Sequence, residues 1–287
     1  MYLASMEKKL NTMTNLKKDH NYVDYDINQL VELPTFSGVW ELKFRDIYFK
    51  MINIYNDDLV PTKFFWKDRY EQLSLNLWYE FSRDLNAVHI DVGSHTGVYT
   101  IIGNLNKTKN NIISLEPYYI NFSRMLTNLK LNKISLENSL LVAASKDNGV
   151  AKFKTLTHIR QHTSGGSIQN EGNHSVKKIR LDDINIGNQK VGTIKIDTEG
   201  HEYEVLIGSE LIIKNYRPDI IFEINQASAQ NCLDYLINCG YSFFLIDDVQ
   251  NKLHTLDQKN NKINLGKEGI NCLATFFPEK DLIKNYI

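Results

Sequence analysis

Two strings in this 287-residue chain place an acidic side chain and glycine directly after an apolar run. One is His89-Ile90-Asp91-Val92-Gly93-Ser94-His95-Thr96-Gly97 and the other is Ile194-Lys195-Ile196-Asp197-Thr198-Glu199-Gly200-His201-Glu202. Each reads as a strand that ends on an acid, with a glycine turn leading into a helix. Strand ends and helix N-termini converge at the carboxyl edge of a parallel sheet, where small-molecule sites form. The first turn runs Asp91-x-Gly93-x-x-x-Gly97 and lacks the second glycine of G-x-G-x-x-G, which lets backbone approach a pyrophosphate. A dinucleotide cofactor is therefore disfavoured. A sulfonium cofactor carries no phosphate, and Asp91 suits its cationic amino-acid portion, so the turn points to S-adenosylmethionine.

Further on, Glu116 closes a second apolar run, where a carboxylate can accept both hydroxyls of a ribose. Ala143 and Ala144 end a third run, and small residues there admit a flat adenine. The alternative is that Asp91 caps its helix, Gly93 and Gly97 serve a tight turn and Glu116 is a solvated strand end.

The elements that must position these groups follow from periodicity. Strands are expected at Val88 to Val92, Ile112 to Leu115, Ser139 to Ala144, Thr193 to Asp197 and Asp219 to Ile224. Helices at Thr96 to Leu105, Ile120 to Leu131, Glu202 to Asn215 and Ser228 to Cys239 alternate with them, which predicts a parallel sheet with right-handed crossovers. Tyr241 to Ile246 and Asn271 to Phe277 read as antiparallel strands closing one edge. Residues 1–30 read as a loose polar arm. Residues 31–85 form a cap region with a strand pair near its start and one long amphipathic helix from Phe65 to Leu85. The remainder, 86–287, is the catalytic domain, interrupted at about 145–190 by an irregular insertion with short strands at Val150 to Lys154 and Val176 to Leu181. Irregular stretches of that length inside a domain are usually functional, and Thr163 to Ser167 is expected to help close over the site.

Composition narrows the partners. Lys plus Arg (33) nearly balance Asp plus Glu (34), so no positive field is available to follow a phosphate backbone, and nucleic acid is excluded as the main partner. No apolar stretch is long enough for a membrane span. Cys232, Cys239 and Cys272 lack metal or redox spacing and read as reduced core thiols of a cytoplasmic protein. His158, His162 and His174 match no zinc motif.

Asp91 to Tyr99, Ser114-Leu115-Glu116-Pro117, Ala143-Ala144-Ser145 with Gly149, Ile179-Arg180-Leu181-Asp182-Asp183 and Ile194 to Glu202 together resemble the FkbM family of S-adenosylmethionine-dependent methyltransferases. The family pattern has Ala-Asn where this chain has Ser94-His95. The resemblance implies a class I, Rossmann-like α/β fold: a mostly parallel seven-stranded sheet of order 3-2-1-4-5-7-6 with helices on both faces, here with an N-terminal extension. It also implies methylation of a hydroxyl on a sugar, glycan or polyketide-type molecule. Cofactor contacts are then expected from Asp91, Gly93, Ser94, His95, Gly97, Glu116, Pro117 and Ala144.

The implied strand order puts Asp197 beside Asp91, facing the methyl group. Asp197 is the first candidate for the base and His201 the second, while Glu199 touches substrate or caps the next helix and Glu202 caps it. A divalent metal such as Mg²⁺ is the other mechanistic option. Glu223 and Asn225 share one face of their strand and with Asp197 would offer oxygen ligands. N-methylation, a non-catalytic cofactor-binding subunit and a homo-oligomeric state stay open.

Overall fold

Runs of Val, Ile and Leu bounded by turn residues make strands buried on both faces, which a central parallel sheet requires. A computed structural model of the chain describes residues 2–19, 22, 25, 29–30, 33–105, 111–155, 166–224, 229–256 and 269–287. Its central sheet is built from β3 (Ala87–Val92), β4 (Ile112–Leu115), β5 (Ser139–Leu140), β10 (Lys190–Ile196), β11 (Asp219–Ile224), β12 (Ser242–Asp247), β13 (Lys252–Thr255) and β14 (Ile270–Thr275), in the order β13-β12-β14-β11-β10-β3-β4-β5. The strands from β5 through β11 run parallel, and β14 enters antiparallel between β11 and β12. This is the expected class I order with one strand more than the expected seven. The extra strand, β13, pairs with β12 as a hairpin at the edge.

The order reverses between β3 and β10. The chain leaves β3 outward through β4 and β5 and returns to lay β10 beside β3, so both acid-bearing strand ends meet there. Helices α4 (Val98–Asn104) and α5 (Tyr119–Leu131) flank β3 and β4 on one face, with Ile101, Ile102, Met125 and Leu129 in the same core as Trp78. On the other face α6 (Glu202–Ile207), α7 (Glu210–Tyr216) and α8 (Ala229–Asn238) bury Val205, Leu206, Ile212, Ile213, Cys232, Leu233 and Leu236. A last short helix, α9 (Asp281–Lys284), buries Ile283.

The N-terminal region differs from the sequence expectation. The arm is not loose: Tyr2–Asp19 is helix α1, and its Met13 is only 1% exposed in the core that holds Trp66 and Phe64. The alternating residues after it form the hairpin β1 (Gly38–Phe44) and β2 (Ile47–Asn53), which turns through Arg45. The expected long helix over 65–85 is two helices, α2 (Leu59–Lys67) and α3 (Gln72–Phe81). Between them Asp68 (φ 56°) and Glu71 (φ 40°) take left-handed backbone, which no helix continues through. Asp57 pins the start of α2 to α5 by a two-pronged ion pair with Arg124, both contacts at 2.8 Å.

Three further expectations change. The 139–144 strand divides: β5 stays in the main sheet, and β6 (Ala143–Ala144) joins a second sheet with β7 (Gly149–Lys154), β8 (Ser167–Ile168) and β9 (His174–Ile179) in the order β6-β9-β7-β8. Much of the supposedly irregular insertion is thus a small ordered sheet, while residues 156–165 lie outside the described residues. The helix expected over 202–215 breaks at Gly208, whose added Cβ would stand 2.0 Å from the Ser145 carbonyl oxygen. Asp182 then accepts from the amides of Leu211 and Ile212 at the start of α7. Among the described residues no helix is long and apolar enough to cross a membrane.

Because Met13 carries α1 into the core, Met13→Ala is expected to cost about 2–4 kcal/mol of unfolding free energy. Urea titration checks this, and a truly loose arm would show no change.

Candidate active site

The first glycine turn shows why its residue types are required. Gly93 has φ +74°, and a Cβ there would stand 1.8 Å from the Asp197 carbonyl oxygen. Only glycine lets the β3 turn pass so close to the end of β10, where the Asp197 amide donates to the Val92 carbonyl at 3.0 Å. Gly97, at φ +96°, serves packing instead, since its Cβ position lies 2.8 Å from Met125 Cγ.

Around this seam lies a cavity of ≈ 270 Å³, lined on one side by Gly93, Ser94, His95, Leu115, Glu116, Pro117, Val142, Ala143 and Ala144. Asp197, Thr198, Glu199, His201, Glu223, Tyr99, Tyr70, Glu71 and Lys63 line the other. Of the sequence-selected residues, the fold therefore gathers Gly93, Ser94, His95, Glu116, Pro117, Ala144, Asp197, Glu199 and His201. Asp91 and Gly97 are not on the wall.

Asp91 corrects the reading of the first acid. Its carboxylate accepts from the Thr100 hydroxyl at 2.6 Å, and Thr100 in turn meets Ser114 Oγ at 2.7 Å. The group is 1% exposed, and burial raises its pKa to about 6, against the opposing pull of Thr100 and Lys195. Asp91 thus braces α4 from behind the turn and is not on the cavity wall.

Glu116 has the opposite placement. It lines the cavity while its two carboxylate oxygens accept from the amides of His95 (2.9 Å) and Tyr118 (2.8 Å). Burial nevertheless pushes its pKa up to about 8. Asn121 also hydrogen-bonds this carboxylate, and a ligand hydroxyl that donates to it would further favour the ionised form. Beside it, His95 is held at φ 51°, and its buried Nε2 has no hydrogen-bond partner among the described residues. The small Ala143 and Ala144 leave room opposite Pro117. A diol-bearing, flat-ringed cofactor fits this half.

In the other half, the decisive residue is one that sequence reasoning passed over. Lys195 is 1% exposed, with its ammonium 3.3 Å from Asp197 Oδ2, 3.4 Å from Asn271 Oδ1 and 5.0 Å from the centroid of the Tyr99 ring. Burial opposes the charge, but Asp197, Glu71, Glu223 and Asp91 outweigh it and raise the lysine pKa. The Tyr99 hydroxyl donates to Glu71 Oε2 at 2.6 Å, and burial with nearby acids keeps the phenols of Tyr99 and Tyr70 protonated. Glu71 comes from the α2–α3 break, where no periodicity signalled a function.

The remaining acids crowd one another. Desolvation, then Asp197, lift Glu223 to about 8 and Glu199 to about 7. Glu199 is held at φ 56°, a strained position of the kind concentrated at functional sites. Glu202, fully buried, accepts from the amides of Thr198 and Gly200 and the Thr198 hydroxyl; it shapes this turn and touches no ligand space. His201 Nε2 lies 3.0 Å from Ser145 Oγ, and burial lowers the pKa of its ring.

The metal option gains no support here. Among the described residues no three His, Cys, Asp or Glu side chains come together to hold an ion, and Asn225 lies outside those residues, as do His158 and His162. The cation beside Asp197 is the Lys195 ammonium. His174 packs against Tyr118, ring centroids 5.3 Å apart, and is not among the residues that line the cavity.

Comparison with known proteins adds a family. The FkbM methyltransferase domain model matches residues 91–243. No curated protein matches the chain in sequence. Among solved structures, the chain is similar to an FkbM methyltransferase of Methylobacillus flagellatus KT at 15% identity and TM-score 0.43, covering 76% of this chain and 55% of that one. A precorrin-6y C5,15-methyltransferase of Geobacter metallireducens GS-15 aligns at 13% identity and TM-score 0.41, over 70% and 86%. The tRNA (uracil-54, C5)-methyltransferase of Pyrococcus abyssi, in complex with S-adenosyl-L-homocysteine, aligns at 10% identity and TM-score 0.44, over 83% and 44%.

The crowding of acids sets a pH dependence. Glu223 titrates near 4.5 when unfolded and near 8 when folded, so between those values the native state holds the extra proton. Stability should therefore fall as pH rises through that window. Glu223→Gln, which stays neutral, is expected to melt progressively above the wild type as pH is raised to about 8. Melting curves that stay parallel at every pH would remove Glu223 from the cluster.

Proposed function

The chain belongs to the FkbM methyltransferase family, and from that premise we propose that it transfers the methyl group of S-adenosylmethionine to a hydroxyl of a sugar, glycan or polyketide-type small molecule. Bound in the cavity, the cofactor supplies an electrophilic methyl on a sulfonium, open to in-line displacement. Glu116 would hold the ribose diol, Gly93 and Ser94 would form the floor under the methionine portion, and Val142 to Ala144 with Pro117 would flank the adenine.

The observation that carries this reading is the position of Asp197. It stands at the order reversal, against Gly93 of the cofactor turn, with one carboxylate oxygen engaged by Lys195. A hydroxyl is a poor nucleophile until its proton leaves, and a carboxylate at the transfer point can take that proton as the new bond forms. Lys195 fixes the orientation of the carboxylate, so the acceptor is aligned before reaction and much of the rate comes from positioning. His201, tethered to Ser145, is the second candidate for the base. Glu71, Tyr70, Tyr99 and Glu199 surround the acceptor space with both donors and acceptors of hydrogen bonds, which suits a polyhydroxylated molecule. The α2–α3 region thereby becomes the cap that supplies acceptor contacts. The near-balance of positive and negative side chains argues against a nucleic-acid acceptor, and the three unpaired thiols, of which Cys232 and Cys272 are in the core while Cys239 is exposed at the end of its helix, suit a reducing, cytoplasmic setting.

Turnover of labelled S-adenosylmethionine over a panel of sugars, glycolipids and polyketide alcohols tests the proposal. Asp197→Ala is expected to lower kcat by about 10²- to 10⁴-fold, with cofactor affinity within a few-fold of wild type. Transfer only to amines, or full activity of Asp197→Ala on a hydroxyl acceptor, would overturn the reading. Because Lys195 already supplies the positive charge at Asp197, a chelator should leave turnover unchanged; loss of activity restored by Mg²⁺ would contradict that assignment.

A further inference from the structure

The first glycine turn has little to offer an anion. The amides of Gly93 and Ser94 both donate to the Leu115 carbonyl at 2.9 and 3.0 Å, that of His95 to Glu116 Oε2 at 2.9 Å, and that of Gly97 to the Ser94 carbonyl at 2.8 Å. In turns that bind phosphate or carboxylate, such amides are the groups that meet the anion. Here those four amides are consumed in building the turn itself.

S-adenosylmethionine nevertheless carries a carboxylate at its methionine end. The walls it would enter bear Glu71, Glu116, Asp197, Glu199 and Glu223. A carboxylate placed among these without a cation or free amide would be repelled and unsolvated. Lys195 is not available, since its ammonium is already shared among Asp197, Asn271 and the Tyr99 ring.

Lys63 is available. It lines the cavity from α2, one helical turn after Leu59 and Val60, which line it too. Its ammonium sits 5.6 Å from the centroid of the Tyr70 ring and forms no ion pair among the described residues. Contact with an aromatic face steadies an ammonium while leaving N–H donors for an anion.

We propose that Lys63 receives the carboxylate of the cofactor's methionine end, which makes α2 part of the cofactor site. The proposal rests on the S-adenosylmethionine reading above. A carboxylate or phosphate on the acceptor is the other source of the same chemistry, and the test separates the two. Calorimetric affinities are measured for wild type, Lys63→Met and Lys63→Arg with S-adenosylhomocysteine, which has the carboxylate, and with 5′-methylthioadenosine, which lacks the amino-acid end.

Lys63→Met should weaken S-adenosylhomocysteine about tenfold or more, as expected for loss of a charge-assisted contact. It should change methylthioadenosine by less than about twofold, and Lys63→Arg should retain most of the affinity, since it keeps the charge. Equal losses for both ligands would overturn the proposal. So would unchanged S-adenosylhomocysteine binding, whether or not KM for an anionic acceptor rises. Wild type that binds neither ligand would overturn the cofactor reading and this proposal with it, whereas wild type that binds both, with Lys63→Met indistinguishable from it, would overturn Lys63 alone.

Discussion

Lys195 carries its ammonium into the centre of the sheet, 1% exposed, at the point where the strand order reverses. An isolated buried ammonium costs several kcal/mol, and here Asp197, Asn271 and the face of Tyr99 compensate it. The dependence runs in both directions. Without that charge, Asp91, Asp197, Glu71 and Glu223 would share one low-dielectric region with no buried cation among them. One cation does not offset them all, so Glu199 and Glu223 are pushed up to about 7 and about 8. What remains is a cavity that favours an additional positive charge, which a sulfonium supplies and its demethylated product does not.

Geometry then divides the cavity. Gly93 lets the β3 turn touch the end of β10, and this contact brings Gly93, Ser94 and Asp197 onto one cavity. Behind the contact, Asp91 ties Thr100 to the strand and so fixes where α4 begins. In front of it, Glu202 gathers Thr198 and Gly200 into the turn that presents Asp197 and Glu199. The two acid-tipped strands thus do unlike work: Asp91 braces α4 from behind the turn, and Asp197 lines the cavity. The second sheet adds Phe153 and Ile168 to the lining, so the described part of the insertion contributes to the wall.

How much of this was legible depends on where the signal lay. The parallel sheet and the two glycine turns could be read because their residue types are demanded by backbone geometry, and strand ends marked Glu116 and Asp197, which both line the cavity; the strand order came only with the family resemblance. Asp91 was misread because β3 is buried on both faces; no alternation of polarity shows which way its side chain points, and it points toward Thr100. Lys195 was overlooked for the same reason, since a lysine inside an apolar strand gives no sign of the partners that justify it. Tyr70, Glu71 and Lys63 reach the site only through the packing of α2 and α3. The break between those helices rests on left-handed backbone at Asp68 and Glu71, two residue types that carry no glycine-like warning. Breaks at Gly208 and between β5 and β6 likewise come from contacts far along the chain.

The central claim is that this cavity is charged to suit a cationic cofactor, and the affinity ratio of S-adenosylmethionine to S-adenosylhomocysteine measures it most directly, because titrating groups common to both ligands cancel. The ratio is expected to rise from about pH 6 to about pH 9, as Glu199 and Glu223 ionise and the sulfonium gains their charge. A ratio that stays flat or falls over that range would contradict the account.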